Sequence, residues 1–495
     1  MLKYILIHPS DNVAVALEDI PEGEEIFCGG QEVRVAESIP AGHKVAVKDI
    51  RKGENVIKYG YPIGHATTDI AQGEWVNEKV LKTNLEGITQ YRYTPTFVTT
   101  TPMPSTRTFD GYVRKNGNVG VRNELWIIPT VGCVNGVAEK LARMMNEETG
   151  ARYIDGIVAF PHNYGCSQLG DDHENTRRIL RDMVLHPNAG GVLVIGLGCE
   201  NNQPEEFMKT LGDYDRKRIR LMVCQKETDE ISRGMEILRE LYAGMINDCR
   251  TPFSMDKLRI GLKCGGSDGL SGITANPLLG MFSDYLVNHG GTTVLTEVPE
   301  MFGAETLLMN RCKDEQTFQE TVALINDFKA YFISHNQPIS ENPSPGNRAG
   351  GISTLEEKSL GCTQKSGSAP VSAVLKYGDI ITNHGLHLLS APGNDLVAST
   401  ALAAAGCHIV LFTTGRGTPF GTFVPTAKIA THTSLAVDKS NWIDFNAGTL
   451  VEGEAMPDVL ERFTDFVLAV ASGQQTRNEK SGYRDFAIFK SGVTL

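Results

Sequence analysis

The chain has 495 residues, which at ~150 residues per domain suggests about three domains. It carries 47 Lys and Arg residues against 59 Asp and Glu residues, a formal charge of −12, and this balance argues against a binder of duplex nucleic acid, which needs a basic surface. Hydrophobic residues make up 41% and charged residues 21%, a composition typical of a folded globular protein and not of a disordered one.

Apolar runs are short and cysteines are frequent. The longest apolar runs, such as residues 191–197, are far shorter than the ~20 residues of a membrane-spanning helix, and the N-terminus does not resemble a signal peptide. Ten cysteines without a signal peptide indicate a reducing cytoplasm, where cysteine is buried, catalytic or metal-bound. We therefore expect a cytoplasmic, multidomain enzyme that binds neither membranes nor nucleic acid.

A short pattern recurs four times in the first ninety residues. Each unit has an apolar residue, a polar pair, a glycine and a second apolar residue, and the units cover residues 20–26, 39–45, 50–56 and 70–76. Glycine permits the positive φ of a tight turn between short strands. The repeats predict an all-β module over residues 1–92, whose alternating strands, such as residues 13–17, have one packed face and one solvated face.

The remaining chain predicts a linker followed by α/β domains. Residues 93–108 (YTPTFVTTTPMPSTRT) predict an extended, flexible linker, because their prolines fix φ and they carry almost no charge. Beyond it, apolar strands alternate with helices, which is typical of parallel sheets buried on both faces. We expect two α/β domains, residues 109–250 and 251–495. The predicted strands are residues 125–129, 154–160, 191–197, 219–223, 258–262, 293–296, 387–390 and 408–413.

Thiols and carboxylates follow several of the predicted strands. In open parallel sheets, ligands bind beyond the carboxyl ends of the strands. A single cysteine there could simply fill space, but four in equivalent positions favour a metal or cluster site, with iron or zinc preferred to magnesium because thiolates are soft ligands. The chain has no CxxC, HExxH or ferredoxin-like cysteine run. The residues in question are Cys133, Cys166, Cys199, Glu200, Cys264, Asp268, Glu297 and Glu300.

Two familiar motifs lack the context that they require. Residues 265–269 (GGSDG) match the GxSxG elbow of serine hydrolases, but the next helix is predicted to begin only near Pro277, too late for an elbow. Residues 196–198 and 415–417 carry only part of a dinucleotide-binding motif. A serine hydrolase and an NAD-binding enzyme are therefore disfavoured.

Histidine and basic residues supply further candidates. His43 occupies a turn position that the other three repeats fill with glutamate, and His8 is expected nearby because the starts of their strands should be neighbours. Arg416, Lys365 and Asn347 lie in or beside glycine-rich or polar turns and suit a ligand with a carboxylate or several hydroxyls. A solvated turn histidine and tight loop packing are the alternatives. A β module on a flexible linker could close over a site at the strand ends.

Several of these stretches resemble the altronate/galactarate dehydratase family. The resemblance extends over the whole chain, and residues 119–126, 167–173 and 358–365 are similar to its altronate-acting members more than to the galactarate-acting ones. It implies an N-terminal SAF-type β-clip module, a middle α/β domain involved in dimerisation, and a C-terminal Rossmann-like α/β domain with a metal site. The matching stretches are residues 7–14, 42–46, 164–166, 196–200, 264–268, 342–347 and 414–419.

The resemblance also implies a homodimer that uses Fe²⁺, for which Mn²⁺ could substitute, and that dehydrates D-altronate to 2-dehydro-3-deoxy-D-gluconate in hexuronate breakdown. Three alternatives stay open: an iron–sulfur cluster on the strand-end cysteines, a dehydratase of another sugar acid such as galactarate, and a non-catalytic sugar-acid binding protein. On this basis the predicted metal ligands are Cys264, Asp268, Cys199, Glu200 and Glu297, the predicted catalytic residues are His43 and His8, and the predicted substrate contacts are Arg416, Lys365 and Asn347.

Overall fold

The computed structural model describes residues 3–97, 101–492 and 494, so residues 98–100 of the predicted linker lie outside the described chain. Its first part is the predicted all-β module, in which short antiparallel strands form the sheets β1-β2-β5-β8, β3-β4 and β6-β7-β9. The strands are β1 (Tyr4–Ile5), β2 (Val13–Ala16), β3 (Glu25–Cys28), β4 (Gln31–Arg34), β5 (Lys44–Ala46), β6 (Asn55–Lys58), β7 (Tyr61–Ala66), β8 (Trp75–Val76) and β9 (Leu81–Lys82).

The four repeats form the predicted glycine turns. Their glycines all have a left-handed backbone, which residues with a side chain rarely adopt. Antiparallel bridges join the first apolar residues of the units in pairs, so the repeats stack as two related halves. The φ angles are 82° at Gly23, 82° at Gly42, 85° at Gly53 and 89° at Gly73.

The prediction that one face of the strands is solvated is confirmed for β3, whose residues alternate between exposed and buried, but is wrong for β2. All four residues of β2 are buried. Val13 packs into one small core with Ala46, whereas Ala14 packs into a second core with Val45. Both faces of the strand are therefore covered, because the module folds around two cores and not one.

The middle part of the chain is a small α/β unit. Its parallel sheet has the strand order β13-β12-β14-β15, and all six residues of β12 are buried, as expected for a sheet that is covered on both faces. Its elements are β10 (Thr108–Val113), β11 (Val119–Gly120), β12 (Glu124–Pro129), α1 (Asn135–Thr149), β13 (Gly156–Ala159), α2 (Gly170–Val184), β14 (Ala189–Gly196), α3 (Pro204–Lys209), β15 (Ile219–Val223), α4 (Glu230–Met245) and β16 (Thr251–Ser254). Strand β10 pairs with both β11 and β16, so the first strand of the unit is joined to its last.

The C-terminal part is built on a sheet of seven described parallel strands, in the order β19-β20-β18-β17-β21-β22-β23. This sheet confirms the predicted α/β class with a Rossmann-like parallel sheet. The elements are β17 (Arg259–Cys264), α5 (Ala275–Asn288), β18 (Thr292–Leu295), α6 (Glu305–Met309), α7 (Glu315–Ser334), α8 (Pro345–Ala349), α9 (Leu355–Thr363), β19 (Val371–Leu375), β20 (Gly385–Leu389), α10 (Asp395–Ala404), β21 (Ile409–Thr414), β22 (Thr426–Ala430), α11 (Thr433–Asp438), β23 (Phe445–Asn446), α12 (Met456–Ala471) and α13 (Arg477–Ser481).

The strand order creates a topological switch beside β17. Strand β18 lies on one side of β17, and β21, which the chain reaches only after β20, lies on the other. In open sheets of this kind, ligands bind in the crevice at the carboxyl ends of the strands next to the switch. The crevice is bordered here by the loops after β17 and β21, residues 265–274 and 415–425.

The described parts of the linker lie along the C-terminal domain. The Tyr93 hydroxyl donates to the Cys312 carbonyl, and Arg107 pairs with Asp465 at 2.7 Å. These segments are anchored and not free, contrary to the flexible linker that the composition suggested. In the described ranges no helix is long and apolar enough to cross a membrane. The domain boundaries at residues 92, 108 and 250 stay predictions.

Candidate active site

A buried cluster of two thiols and two carboxylates lies at the carboxyl end of β17. The Cys264 sulfur is 3.3 Å from the Cys362 sulfur, and one Glu300 carboxylate oxygen is 3.2 Å from each of them. A carboxylate oxygen of Glu297 lies 3.7 Å from the Cys264 sulfur. None of the four residues is more than 6% exposed. Donor atoms of Cys264, Cys362 and Glu300 thus converge on one buried point.

Three separate elements bring these side chains together. Cys264 is the last residue of β17, and Cys362 lies on α9, a helix in which every residue is buried. Glu297 and Glu300 lie in the turn after β18, where Glu297 has a φ of 68°. A left-handed backbone at a non-glycine residue is strained, and such strain is often found at functional sites.

Three buried lysines surround the cluster and balance its carboxylates. Lys365 donates to the Cys264 sulfur at 2.7 Å and therefore lies directly against the thiols. Three ammonium groups thus face three carboxylates. The ion pairs are Lys263 with Glu297 and with Asp395 (2.8 Å), Lys365 with Glu297 (3.2 Å), and Lys358 with Glu300 (2.9 Å).

The two glutamates differ in their electrostatic surroundings. Burial and the neighbouring Glu300 charge raise the pKa of Glu297, despite the lysines that pair with it. Burial also opposes ionisation of Glu300, but Lys358 and two further lysines outweigh it and lower its pKa to about 2. A pair of carboxyl groups whose pKa values are pushed apart is typical of acid–base sites.

The cluster fits a single transition-metal ion. Donor atoms of Cys264, Glu300 and Cys362 all lie within 4.8 Å of one another. Two sulfurs with one carboxylate oxygen suit Fe²⁺ or Zn²⁺ better than Mg²⁺. Because the lysines already balance the carboxylates, two thiols that lose their protons would match the charge of one divalent cation.

Asp268 and Arg416 lie in the two loops that border the crevice. Asp268 accepts hydrogen bonds from the hydroxyls of Ser271 and Thr431, both at 2.9 Å. Arg416 is exposed, so its guanidinium is free to meet an incoming anion. Both residues are near the switch point, but neither belongs to the group of converging thiol and carboxylate donors.

A buried ion-pair network docks the β module onto the C-terminal domain. The Lys44 ammonium lies 2.9 Å from the Glu357 carboxylate, and the Lys58 ammonium lies 2.7 Å from it. Lys44 also donates to the carbonyl of Gly351 at 2.7 Å. Burial disfavours the Glu357 charge, yet the two lysines lower its pKa to about 2. The module is thereby held against the segment that connects α8 to α9.

His43 lies at this domain interface. Its Nδ1 accepts a hydrogen bond from the Trp75 indole at 3.1 Å, and its Nε2 lies 3.3 Å from the carbonyl oxygen of Ala349. An indole only donates and a carbonyl only accepts, so Nε2 carries the proton and the ring is neutral. Burial lowers the pKa of His43, in agreement with a neutral ring. His43 therefore links the module to the C-terminal domain through both nitrogens.

His8 does not join His43, contrary to the expected cluster. Strands β2 and β5 are antiparallel, with Val15 paired to Lys44, so the starts of the two strands lie at opposite ends. His8 is exposed, and its ring nitrogen lies 2.7 Å from the Ser10 hydroxyl. The expectation assumed neighbouring strand starts, which a parallel pair would have.

Two predicted metal ligands lie in the other parallel sheet. Cys199 and Glu200 follow β14, whereas Cys264 follows β17. The Glu200 carboxylate is buried and accepts hydrogen bonds from the Thr130 hydroxyl at 2.7 Å and from the Gly198 backbone at 2.6 Å. In this structure Glu200 holds its own loop, and Cys199 is exposed.

The predicted substrate contacts are also in different surroundings. Lys365 belongs to the buried cluster described above, whereas Arg416 is at the surface. The Asn347 amide donates to the carbonyl of Ser267 at 2.8 Å and accepts from Ser344 as part of a helix cap. Asn347 would have to exchange these bonds to contact a substrate.

Two residues of the cluster were not among the predicted ligands. Glu300 was noted as a strand-end residue but was left out of the ligand set. Cys362 was missed because it lies on a helix and not after a strand. The available signal was a cysteine three positions before a lysine in residues 358–365 (KSLGCTQK), a polar stretch that is nevertheless buried.

A substitution at Gly269 tests how the β module docks on the C-terminal domain. A Cβ at this position would lie 1.9 Å from the carbonyl oxygen of Gly42, and neither backbone segment can yield easily. We expect Gly269→Ala to displace the module and to accelerate cleavage of the linker in limited proteolysis. Gly244→Ala is the matched control, because a Cβ there meets no atom within 4 Å. Equal cleavage rates in the two variants would contradict the docking geometry.

A β module docked beside a thiol–carboxylate centre, at the switch point of a parallel sheet, defines a candidate metal-dependent α/β enzyme. Three family descriptions cover nearly the whole chain. Residues 2–84 match the altronate/galactarate dehydratase SAF domain, residues 111–245 match the second domain of D-galactarate dehydratase/altronate hydrolase, and residues 255–494 match the C-terminal region of D-galactarate/altronate dehydratase.

Full-length relatives give the same result. Altronate dehydratase of Escherichia coli K12 is 59% identical over 495 residues, and that of Bacillus subtilis 168 is 56% identical over 497 residues, each covering 100% of both chains. Galactarate dehydratase (L-threo-forming) of E. coli K12 is 34% identical over 98% of this chain and 96% of its own. The chain belongs to the altronate/galactarate dehydratase family.

Proposed function

We propose that this protein dehydrates D-altronate to 2-dehydro-3-deoxy-D-gluconate and water in hexuronate breakdown. The observation that carries the proposal is the 59% identity with an altronate dehydratase over the full length of both chains. A galactarate dehydratase is the second candidate, but the corresponding relative is only 34% identical. A non-catalytic binding protein would have no evident use for a buried thiol–carboxylate centre.

The reaction breaks the C2–H bond and the C3–O bond of a 2,3-dihydroxy acid. A base takes the C2 proton, and the C3 hydroxyl accepts a proton and leaves as water. The resulting enol gains a proton at C3 and becomes the 2-keto acid. Fe²⁺, for which Mn²⁺ could substitute, would be held by Cys264, Cys362 and Glu300 and would supply Lewis-acid polarisation of the substrate's carboxylate and C2 hydroxyl.

We assign proton transfer to Glu297 and charge stabilisation to Lys365, which pairs with it. Its raised pKa suits a carboxyl that gains and loses a proton during turnover. Burial opposes the Lys365 charge, but the Cys264 sulfur and Glu297 outweigh it and raise the Lys365 pKa, so this ammonium stays charged. Lys365 is thereby suited to bind the substrate carboxylate and the negative charge that develops at C2. Arg416 at the crevice is suited to the first contact with the anion.

His43 and His8 stay proposed acid–base residues. We expect His43→Ala to lower kcat at least about tenfold, because it removes both the ring and the link between the module and the C-terminal domain. The pH profile of kcat separates the two roles, since loss of one limb indicates proton transfer and a uniform decrease indicates positioning. Near-normal kcat in the iron-loaded variant would exclude both. His8→Ala, an exposed site, is the matched comparison.

Location and assembly complete the proposal. All ten cysteines are free thiols, which supports a cytoplasmic location, and the family resemblance supports a homodimer.

Substrate choice is tested by measuring keto-acid formation from altronate, galactarate and their epimers under anaerobic conditions with Fe²⁺. We expect altronate to be preferred at least about tenfold over each other acid. Preference for galactarate would select the second candidate, and no keto acid from any substrate would favour a binding protein.

A further inference from the structure

A second group of cysteines lies at the carboxyl edge of the middle sheet. Cys133, Cys166 and Cys199 follow β12, β13 and β14, which are neighbours in that sheet. All three are exposed free thiols, unlike the buried pair Cys264 and Cys362. We call Cys133, Cys166 and Cys199 the three-cysteine edge. The proposed dehydration mechanism does not use it.

Hydrogen bonds join the three loops that carry these cysteines into a closed ring. Each loop is bonded to both of the others within three residues of its cysteine, so the three thiols emerge from one connected surface. The bonds run from the Gly132 amide to the Tyr164 carbonyl (3.0 Å), from the Ser167 amide to the Asn201 side chain (2.8 Å), and from the Asn202 side chain to the Thr130 carbonyl (3.2 Å).

Local backbone and polar contacts also favour a bound group at this edge. Ser167, which follows Cys166, has a φ of 58°, a strained conformation that the surrounding loops must impose. The Gln225 amide donates to the Cys199 sulfur at 3.5 Å. Hydrogen bonds to cysteine sulfur are one of the means by which proteins tune iron–sulfur clusters.

We propose that Cys133, Cys166 and Cys199 bind a [4Fe–4S] cluster, separate from the buried Cys264–Cys362–Glu300 centre. The donor atoms of the buried centre all lie within 4.8 Å of one another. Among the described residues, the three sulfurs of the edge do not form such a group. A single ion needs such convergence, whereas the irons of a cluster lie at the corners of a cube and accept thiolates that are spread more widely. Three thiolates leave one iron of the cube free for a non-protein ligand.

The binding step is a ligand exchange without a redox change. Each of the three thiols releases one proton to solvent, and its thiolate displaces one external ligand from an iron of a preformed cluster, so the protein contributes three negative charges. Cys224 follows the fourth strand of the same sheet but is excluded from the proposed set. Burial raises the pKa of its thiol to about 11, which disfavours the thiolate that iron requires.

The test uses full-length protein purified without oxygen and reconstituted with ferrous and ferric iron in equal amounts and with sulfide, so that the cluster forms without a further oxidant. We expect about four acid-labile sulfides per chain and a broad visible absorbance. Cys133→Ser, Cys166→Ser and Cys199→Ser should each lose most of the sulfide. Cys249→Ser, which alters an exposed thiol outside the edge, and Cys362→Ser, which alters the buried centre, should both retain it.

Two results would overturn the cluster. One is wild-type protein that holds iron but no sulfide, and the other is full sulfide content in all three edge variants. Altronate turnover is measured on the same samples, so a failed cluster and a failed dehydratase are told apart. Protein that is active without sulfide rejects the cluster and leaves the proposed function intact.

Discussion

Replacing Cys362 by serine is expected to lower kcat for altronate dehydration at least about a hundredfold and to remove most of the metal at the buried centre. A serine hydroxyl is close to the size of a thiol, so the packing of α9 should be preserved. It does not ionise near neutral pH and is a hard donor, so it cannot replace a thiolate on iron. Metal content and kcat, both measured after anaerobic loading with Fe²⁺, check this expectation.

The matched control is Cys312→Ser. Cys312 is also a buried free thiol, but its sulfur contacts the Thr321 hydroxyl at 3.2 Å and the Leu308 carbonyl at 3.6 Å, outside the cluster. We expect kcat within about twofold of wild type in this variant, because no group near the reacting atoms is altered. Normal metal content and normal kcat in Cys362→Ser would remove Cys362 from the centre.

Glu357→Gln is expected to lower the free energy of unfolding by about 3–5 kcal/mol, because it leaves Lys44 and Lys58 buried without an opposite charge. Trp75, which lies against His43 in the β module, reports on this transition through its fluorescence. Glu236→Gln removes an exposed carboxylate that pairs with Arg233 and should leave the unfolding free energy unchanged within error. Equal stability of the two variants would contradict the docking network.

The same network predicts how stability depends on pH. The folded pKa of Glu357, about 2, is below its ordinary value of 4.5, so the folded state binds its proton less readily than the unfolded state. The contribution of Glu357 is therefore fully present above pH 4.5 and is lost as the pH falls towards 2. It amounts to about 3 kcal/mol, from ~1.4 kcal/mol per pKa unit. Denaturant unfolding at several pH values should show a loss that is larger in wild type than in Glu357→Gln by about this amount, because the other buried carboxylates are unchanged in the variant.

Much of the fold could be predicted because its signals are local. The predicted strand 219–223 coincides with β15, since an apolar run between polar segments marks a buried parallel strand. Strands β10 and β16 were missed, because their pairing joins residues about 140 positions apart and leaves no local pattern. Strand β22 was missed because it alternates small, polar and apolar residues within a fully covered sheet.

The thiol and carboxylate donors of the site were predictable only where they lie at the end of a strand. Cys264 and Glu297 were found because each follows an apolar strand, and the structure brings them together. Cys362 lies on a helix, and no sequence pattern relates it to a strand end. The pairing of Lys44 with Glu357 joins residues 313 positions apart, so it depends on how the β module docks and could not be derived from spacing.

The central claim is that this protein is a metal-dependent altronate dehydratase. It is tested most directly by measuring keto-acid formation from altronate before metal removal, after anaerobic chelation and dialysis, and after Fe²⁺ is restored. We expect turnover to fall to background on metal removal and to return with Fe²⁺ in wild type, and not to return in Cys362→Ser. Turnover that is unaffected by complete metal removal, or no keto acid from the iron-loaded wild type, would contradict the claim.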